Sequence, residues 1–78
     1  MPEVNGPARL DLSGLTCPVP LLRTKRHLRT MTSGQLVAVT TTDPDSKADF
    51  LAYCDGRTSR VVNIAESAGR FEFLIEKL

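Results

Sequence analysis

Four short segments of the chain combine apolar, β-branched and alternating positions in the way that is typical of β-strands. These segments are residues 8–12, 35–42, 60–66 and 70–77. Leu10 and Leu12 fall on one face of the first strand. Residues 36–39 are apolar without interruption, which predicts burial on both faces of the second strand. The last two strands are separated only by residues 67–69, so we expect a hairpin there.

Apolar residues recur at helical spacing after Cys17. Leu21, Leu28 and Met31 lie at positions i, i+7 and i+10, and Leu22 widens the same stripe. The pattern therefore predicts an amphipathic helix that opens at Cys17 and runs to about Met31.

A second helix is predicted between the second and third strands. Asp43 is expected as its N-cap and Pro44 as its first helical residue. The helix is expected to end near residues 55–56. The side chains expected to face the core are those of Ala48, Leu51 and Ala52, with Phe50 flanking them.

The predicted order of elements is βαβαββ. Right-handed crossovers in the two strand–helix–strand units place both helices on one face of the sheet. We therefore expect an α/β fold, a two-layer α/β sandwich with a four-stranded mixed sheet. Residues 1–7 contain two prolines and a glycine and are expected to form a flexible N-terminal tail, and residues 8–78 a single domain.

The composition limits which kinds of partner and cellular location the sequence favours. The chain has 78 residues, a formal net charge of +1 and only four aromatic residues, so nothing favours nucleic acid or membrane as a general partner. No apolar run approaches the roughly 18 residues that cross a bilayer, and the N-terminus lacks the pattern of a secretory signal. A cytoplasmic location with free thiols is therefore expected.

The strongest local charge is a basic run within the first predicted helix. Its members are Arg23, Lys25, Arg26, His27 and Arg29. The run is compatible with an ordinary solvated helix face or with a docking surface for an acidic partner, and base stacking on interleaved aromatics is not supported. The candidate docking residues are Arg23, Lys25, Arg26 and Arg29.

Cys17 is the candidate reactive residue, because it lies at the threshold of a helix. Unpaired amides and the positive end of the helix dipole stabilise a thiolate at that position, so a lowered pKa is expected, and the amide of Val19 is a candidate anion donor. Pro18 and Pro20 fit the first helical turn, where amide donors are not needed. A buried, unreactive cysteine is equally compatible with the residues taken alone.

Cys54 is expected near the end of the second helix, among apolar neighbours. A helix C-terminus disfavours a thiolate, so a structural role is favoured over that of a resolving thiol. The sequence contains no glycine-rich phosphate loop, no metal-ligand cluster and no paired carboxylates at a useful spacing. No cofactor and no metal site are therefore expected.

Residues 10–20, LDLSGLTCPVP, resemble the signature of the TusA (SirA-like) sulfur-carrier family. The family pattern has a glycine, here Gly14, before the cysteine and then C-P-x-P at the start of a helix. Asp43-Pro44 is similar to the family's step into its second helix. Many members carry glutamate where this chain has Val19, and this difference removes a negative charge beside the thiol.

The resemblance implies a sulfur carrier that accepts sulfur as a persulfide on Cys17 and relays it to an acceptor protein. The implied donor is a cysteine desulfurase or another sulfurtransferase. Gly14, Pro18, Val19 and Pro20 would support the carrier thiol. The resemblance implies a sulfurtransferase-like carrier rather than a free-standing enzyme. The alternative is a regulatory or protein-interaction module with a redox-sensing or structural Cys17.

Overall fold

A computed structural model describes residues 8–78 and contains the six elements in the predicted order. They are β1 (Ala8–Leu12), α1 (Val19–Leu28), β2 (Leu36–Thr41), α2 (Ser46–Tyr53), β3 (Ser59–Ser67) and β4 (Arg70–Lys77). The predicted α/β fold class is thereby confirmed. The tail expected at residues 1–7 lies outside the described residues.

The four strands form one mixed sheet in the order β1-β2-β4-β3. β1 and β2 are parallel, whereas β4 is antiparallel to both β2 and β3. The predicted hairpin between β3 and β4 turns at Ala68 and Gly69, with φ angles of 51° and 77°. Positive φ at both central residues gives a two-residue turn whose twist matches that of the strands.

The helices cover one face of this sheet, and the core lies between the two layers. Val37, Val39, Phe73 and Ile75 point into it and are essentially inaccessible to solvent. The ring of Phe50 from α2 stacks on Phe73 with the ring centroids 4.6 Å apart. Such aromatic pairs add about 0.5–1.5 kcal/mol to the effect of burial alone.

The prediction that β2 is buried on both faces is wrong. Burial alternates along this strand, so Ala38 and Thr40 on the second face are only partly covered. The physical reason is that both helices pack on the other side of the sheet.

Among residues 8–78, neither helix has the length and apolar character that a membrane span requires.

α1 is shorter than predicted. It ends at Leu28, where Arg29 is the C-cap, although Met31 is still buried beyond the end of the helix. Leu28 is buried as expected, whereas Leu22 is 54% exposed and does not join the apolar stripe.

The predicted inner face of α2 is also wrong. The helix buries Ser46 and Phe50, whereas Ala48, Leu51 and Ala52 are exposed. Its N-cap is Asp45 and not Asp43. Phe50 takes the inward position because its ring fills the space above the sheet.

Candidate functional site

The loop between β1 and α1 is held by hydrogen bonds to neighbouring side chains at several points. The backbone amide and hydroxyl of Ser13 both donate to Asp11 Oδ1, at 3.1 and 2.5 Å. The amide of Gly14 donates to Thr42 Oγ1 at 2.8 Å. Gly14 has a φ of 82°, a conformation that glycine adopts without the steric cost of a side chain. These contacts fix the direction in which the chain approaches the cysteine.

The amide of Cys17 donates to Asp43 Oδ2 at 3.0 Å. Because β1 and β2 are parallel neighbours, the loops that leave their carboxyl ends meet at one edge of the sheet. Asp43 lies two residues after the end of β2 and is 9% exposed. Its side chain therefore holds the backbone of the cysteine and does not cap α2.

The first turn of α1 carries the two prolines, as predicted. Pro18 is the N-cap residue and follows a cis peptide bond from Cys17, and Pro20 is buried. The amide of Val19 donates to the carbonyl of Thr16 at 2.9 Å. The expectation that Val19 offers a free amide to a sulfur anion is therefore wrong.

The Cys17 side chain is exposed, and its thiol donates to Asp49 Oδ2 with Sγ and the oxygen 3.1 Å apart. This hydrogen bond raises the pKa of Cys17 from its ordinary value of 9.0 to about 11, with further contributions from desolvation and from the charges of Asp49, Asp43 and Asp45. The predicted lowering of this pKa is wrong. The hydrogen bond to Asp49, desolvation and the nearby carboxylates all act in the direction opposite to that prediction.

The sequence interpretation missed Asp49 and treated Asp43 only as a helix cap. A signal for both was present, since a parallel β1–β2 pair places the Asp-Pro step beside the cysteine loop, and Asp49 lies one turn into the following helix. No group of three or more His, Cys, Asp or Glu side chains within residues 8–78 has the arrangement of a metal site.

The segment that carries Asp43 and Asp49 is fixed by buried hydroxyl groups. Thr41 Oγ1 and Ser46 Oγ are 2.6 Å apart, and the Ser46 hydroxyl donates to the carbonyl of Asp43 at 2.7 Å. Both hydroxyl groups are buried. A satisfied buried network of this kind rigidifies the backbone from which the carboxylates project.

Cys54 lies at the C-cap of α2 and is buried within the core cluster. Burial raises the pKa of its thiol, an effect that the Ser59 hydroxyl partly offsets and the charge of Asp55 reinforces. The apolar surroundings expected for this cysteine are confirmed.

The basic run divides into two parts in the structure. Arg23, Arg26 and Arg29 are exposed, and none forms a salt bridge with another described residue. The Lys25 Nζ lies 4.9 Å from the centroid of the Tyr53 ring, which ties α1 to α2 through a cation–π contact. Lys25 therefore has a packing contact that the three arginines lack.

The fold and the site define a small α/β protein with one exposed thiol at a proline-rich helix start. The chain belongs to the TusA family, whose model, described as Sulfurtransferase TusA, matches residues 8–77.

Several relatives of known name resemble the chain over most of its length. A sulfur carrier protein TusA of Allochromatium vinosum is 46% identical over 68 residues, which cover 87% of this chain and 90% of the relative. A protein of the same name from Pseudomonas putida is 32% identical over 77 residues, 99% of this chain and 96% of the relative. A putative sulfur carrier protein of Neisseria meningitidis is 34% identical over 67 residues, 86% and 90% of the two chains.

Proposed function

We propose that this protein is a sulfur carrier that holds transferable sulfur as a persulfide on Cys17. The observation that carries the proposal is the exposed Cys17 thiol, presented by an anchored loop within the region that matches the family. Relatives at up to 46% identity are named sulfur carriers, which supports the same general role here.

The loading step is an exchange between two sulfur groups. Cys17 loses its proton and its Sγ forms a bond to the outer sulfur of a donor persulfide. The bond between the two donor sulfurs breaks, and the donor leaves as a thiolate that takes up a proton. The donor ends as a thiol and Cys17 as a persulfide, so no external oxidant or reductant is needed. Thiol–disulfide exchange follows the same course of attack by a thiolate on a sulfur.

Forwarding repeats this exchange with an acceptor thiol. A thiolate of the acceptor attacks the outer sulfur, and Cys17 leaves as the thiolate and is reprotonated. The exchange uses one cysteine of the carrier, so Cys54 has no step in it. The residues that shape the presenting loop are Gly14, Pro18, Val19 and Pro20.

A sulfur carrier must contact a donor protein and an acceptor protein in turn. We expect a cysteine desulfurase or another sulfurtransferase as the donor, and the exposed arginines of α1 as part of the docking surface. Arg23 lies six residues after Cys17 on the helix that begins beside the thiol. A cytoplasmic setting is expected because both cysteines are free thiols, the state that a reducing compartment maintains.

The test is to incubate the purified protein with a cysteine desulfurase and cysteine and to measure its intact mass. We expect a gain of one sulfur atom that a reductant reverses, mapped by peptide mass spectrometry to Cys17. The same treatment without the desulfurase is the control. Absence of the added sulfur, or its location on Cys54, would contradict the proposal.

A further inference from the structure

The exposed thiol of Cys17 faces two carboxylates that come from a distant part of the sequence. Asp49 Oδ2 accepts the thiol proton at 3.1 Å, and Asp43 Oδ2 accepts the amide proton at 3.0 Å. Both aspartates lie on the segment whose backbone is held by the buried hydroxyl network. The contact between Asp49 and the sulfur is therefore presented by a fixed part of the fold.

The charges around the sulfur are all negative. Asp49, Asp43 and Asp45 each raise the pKa of Cys17, and among residues 8–78 no positive charge is a cause that lowers it. Residues 13–18 of the loop contain no charged side chain, and the first charged residue of α1 is Arg23. A carboxylate in contact with a thiol favours the protonated form, because ionisation would place two negative charges side by side.

The carboxylates of Asp45 and Asp49 remain accessible to a partner. Asp45 is exposed and Asp49 is partly buried, and neither forms a salt bridge within residues 8–78. A cationic side chain that docks at the start of α2 would bind Asp49 and withdraw its carboxylate from the thiol. The thiol would then become more acidic at the moment of contact, although desolvation and the charges of Asp43 and Asp45 would still act on it.

We propose that Asp49 holds Cys17 in its protonated, slowly reacting form in the empty carrier, and that a cationic group of the docked sulfur donor releases it. This role presupposes the sulfur-carrier function proposed above and adds a control on when loading begins. It also means that the unoccupied thiol is protected from small electrophiles between transfers.

The first experiment uses the protein alone. The rate at which iodoacetamide alkylates Cys17 is measured from pH 6 to pH 12 by peptide mass spectrometry, for the parent and for Asp49→Asn. We expect the rate to rise with a midpoint near 11 in the parent, and with a midpoint lower by about one unit or more in the variant. Each unit by which the pKa falls raises the thiolate fraction at pH 7 tenfold, but it also lowers the nucleophilicity of the thiolate about threefold. The alkylation rate at pH 7 therefore rises about threefold per unit.

Two further variants separate this role from a structural one. Asp49→Glu keeps the carboxylate and should retain a high midpoint, whereas Glu66→Gln makes the same charge change on exposed β3 and should leave the midpoint unchanged. Circular dichroism confirms that each variant is folded. An unchanged or higher midpoint in Asp49→Asn would overturn the role of Asp49, even if sulfur still loads onto Cys17.

The second experiment tests the release by docking. Loading from glutathione persulfide is compared with loading from a cysteine desulfurase charged with cysteine. In Asp49→Asn we expect faster loading from the small donor and a smaller advantage of the protein donor. An equal advantage in parent and variant would overturn release by docking. Failure of both donors to load Cys17 would instead overturn the sulfur-carrier function, and the alkylation result would be unaffected.

Discussion

The two cysteines have raised pKa values for different physical reasons. At the start of α1, Cys17 is exposed, and its pKa is raised first by the hydrogen bond to Asp49. At the end of α2, Cys54 is buried, and its pKa is raised first by desolvation. A carboxylate contact can be exchanged when a partner docks, whereas burial is undone only when the protein opens. A slowly reacting thiol can therefore result either from a carboxylate in contact with it at the surface or from burial in the core.

The largest expected effect is on sulfur loading. Cys17→Ser should abolish persulfide formation with a cysteine desulfurase and cysteine, while Cys54→Ser should load and forward sulfur, because each exchange needs one thiolate of the carrier. Intact mass measures loading, and transfer to the acceptor measures forwarding. A Cys54→Ser protein that loads sulfur but passes none to an acceptor served by the parent would assign a resolving role to Cys54.

The next effect concerns accessibility of the thiols. Folding should slow alkylation of Cys54 by about a thousandfold or more, because its thiol is reached only when the structure opens. Folding should slow Cys17 by only about tenfold at neutral pH, the net result of a pKa raised by about two units. Peptide mass spectrometry of native and denatured samples gives both ratios. Native alkylation of Cys54 at the rate of Cys17 would remove the distinction between the two sites.

Substitution of the two cysteines should change the free energy of unfolding by different amounts. Cys54→Ser places a hydroxyl in the core and should lower the free energy of unfolding by about 1–3 kcal/mol if the hydroxyl is unsatisfied. Cys17→Ser is a surface change and should stay within about 0.5 kcal/mol of the parent. Urea denaturation followed by circular dichroism measures both values. Equal losses for the two variants would argue against the assigned burial.

The smallest effect is expected from the exposed arginines of α1, the helix that begins beside Cys17. Reversing Arg23 and Arg26 to Glu should slow sulfur transfer roughly tenfold at low ionic strength and flatten its salt dependence, because exposed charges steer association and are screened by salt. The matched control reverses Arg9 and Arg70, which line the helix-free face of the sheet. Equal rates in the parent and the Arg23/Arg26 variant at low salt would leave the run as ordinary solvated surface.

Local sequence patterns were sufficient for the fold class but not for helix faces. The alternation in β4 and the turn at Ala68 and Gly69 depend on neighbours in the chain, so the hairpin was predictable. The inward face of α2 was not, because only the packed sheet shows that Phe50 has Phe73 as its partner. Ala48 and Leu51 are apolar enough to suggest the wrong face when that partner is unknown.

The position of Cys17 was predictable from its local motif, but its chemistry was not. The helix start and the prolines are local features, and they suggested a stabilised thiolate. The opposing charge comes from Asp49, 32 residues away in sequence, and reaches the sulfur only because β1 and β2 are parallel. Val19 leads to the same conclusion. Many family members carry a glutamate at its position, and in this chain the negative charge beside the thiol comes instead from Asp49.

The hydrogen bond from the Cys17 amide to Asp43 limits the reach of the cargo. A sulfur atom held on Cys17 as proposed would extend only about 2 Å beyond Sγ, the length of one sulfur–sulfur bond. The loop behind it is also anchored, through Gly14 and Thr42. If Cys17 carries sulfur as proposed, that sulfur stays close to one position on the protein surface, and the reacting group of a donor or an acceptor would have to approach it there.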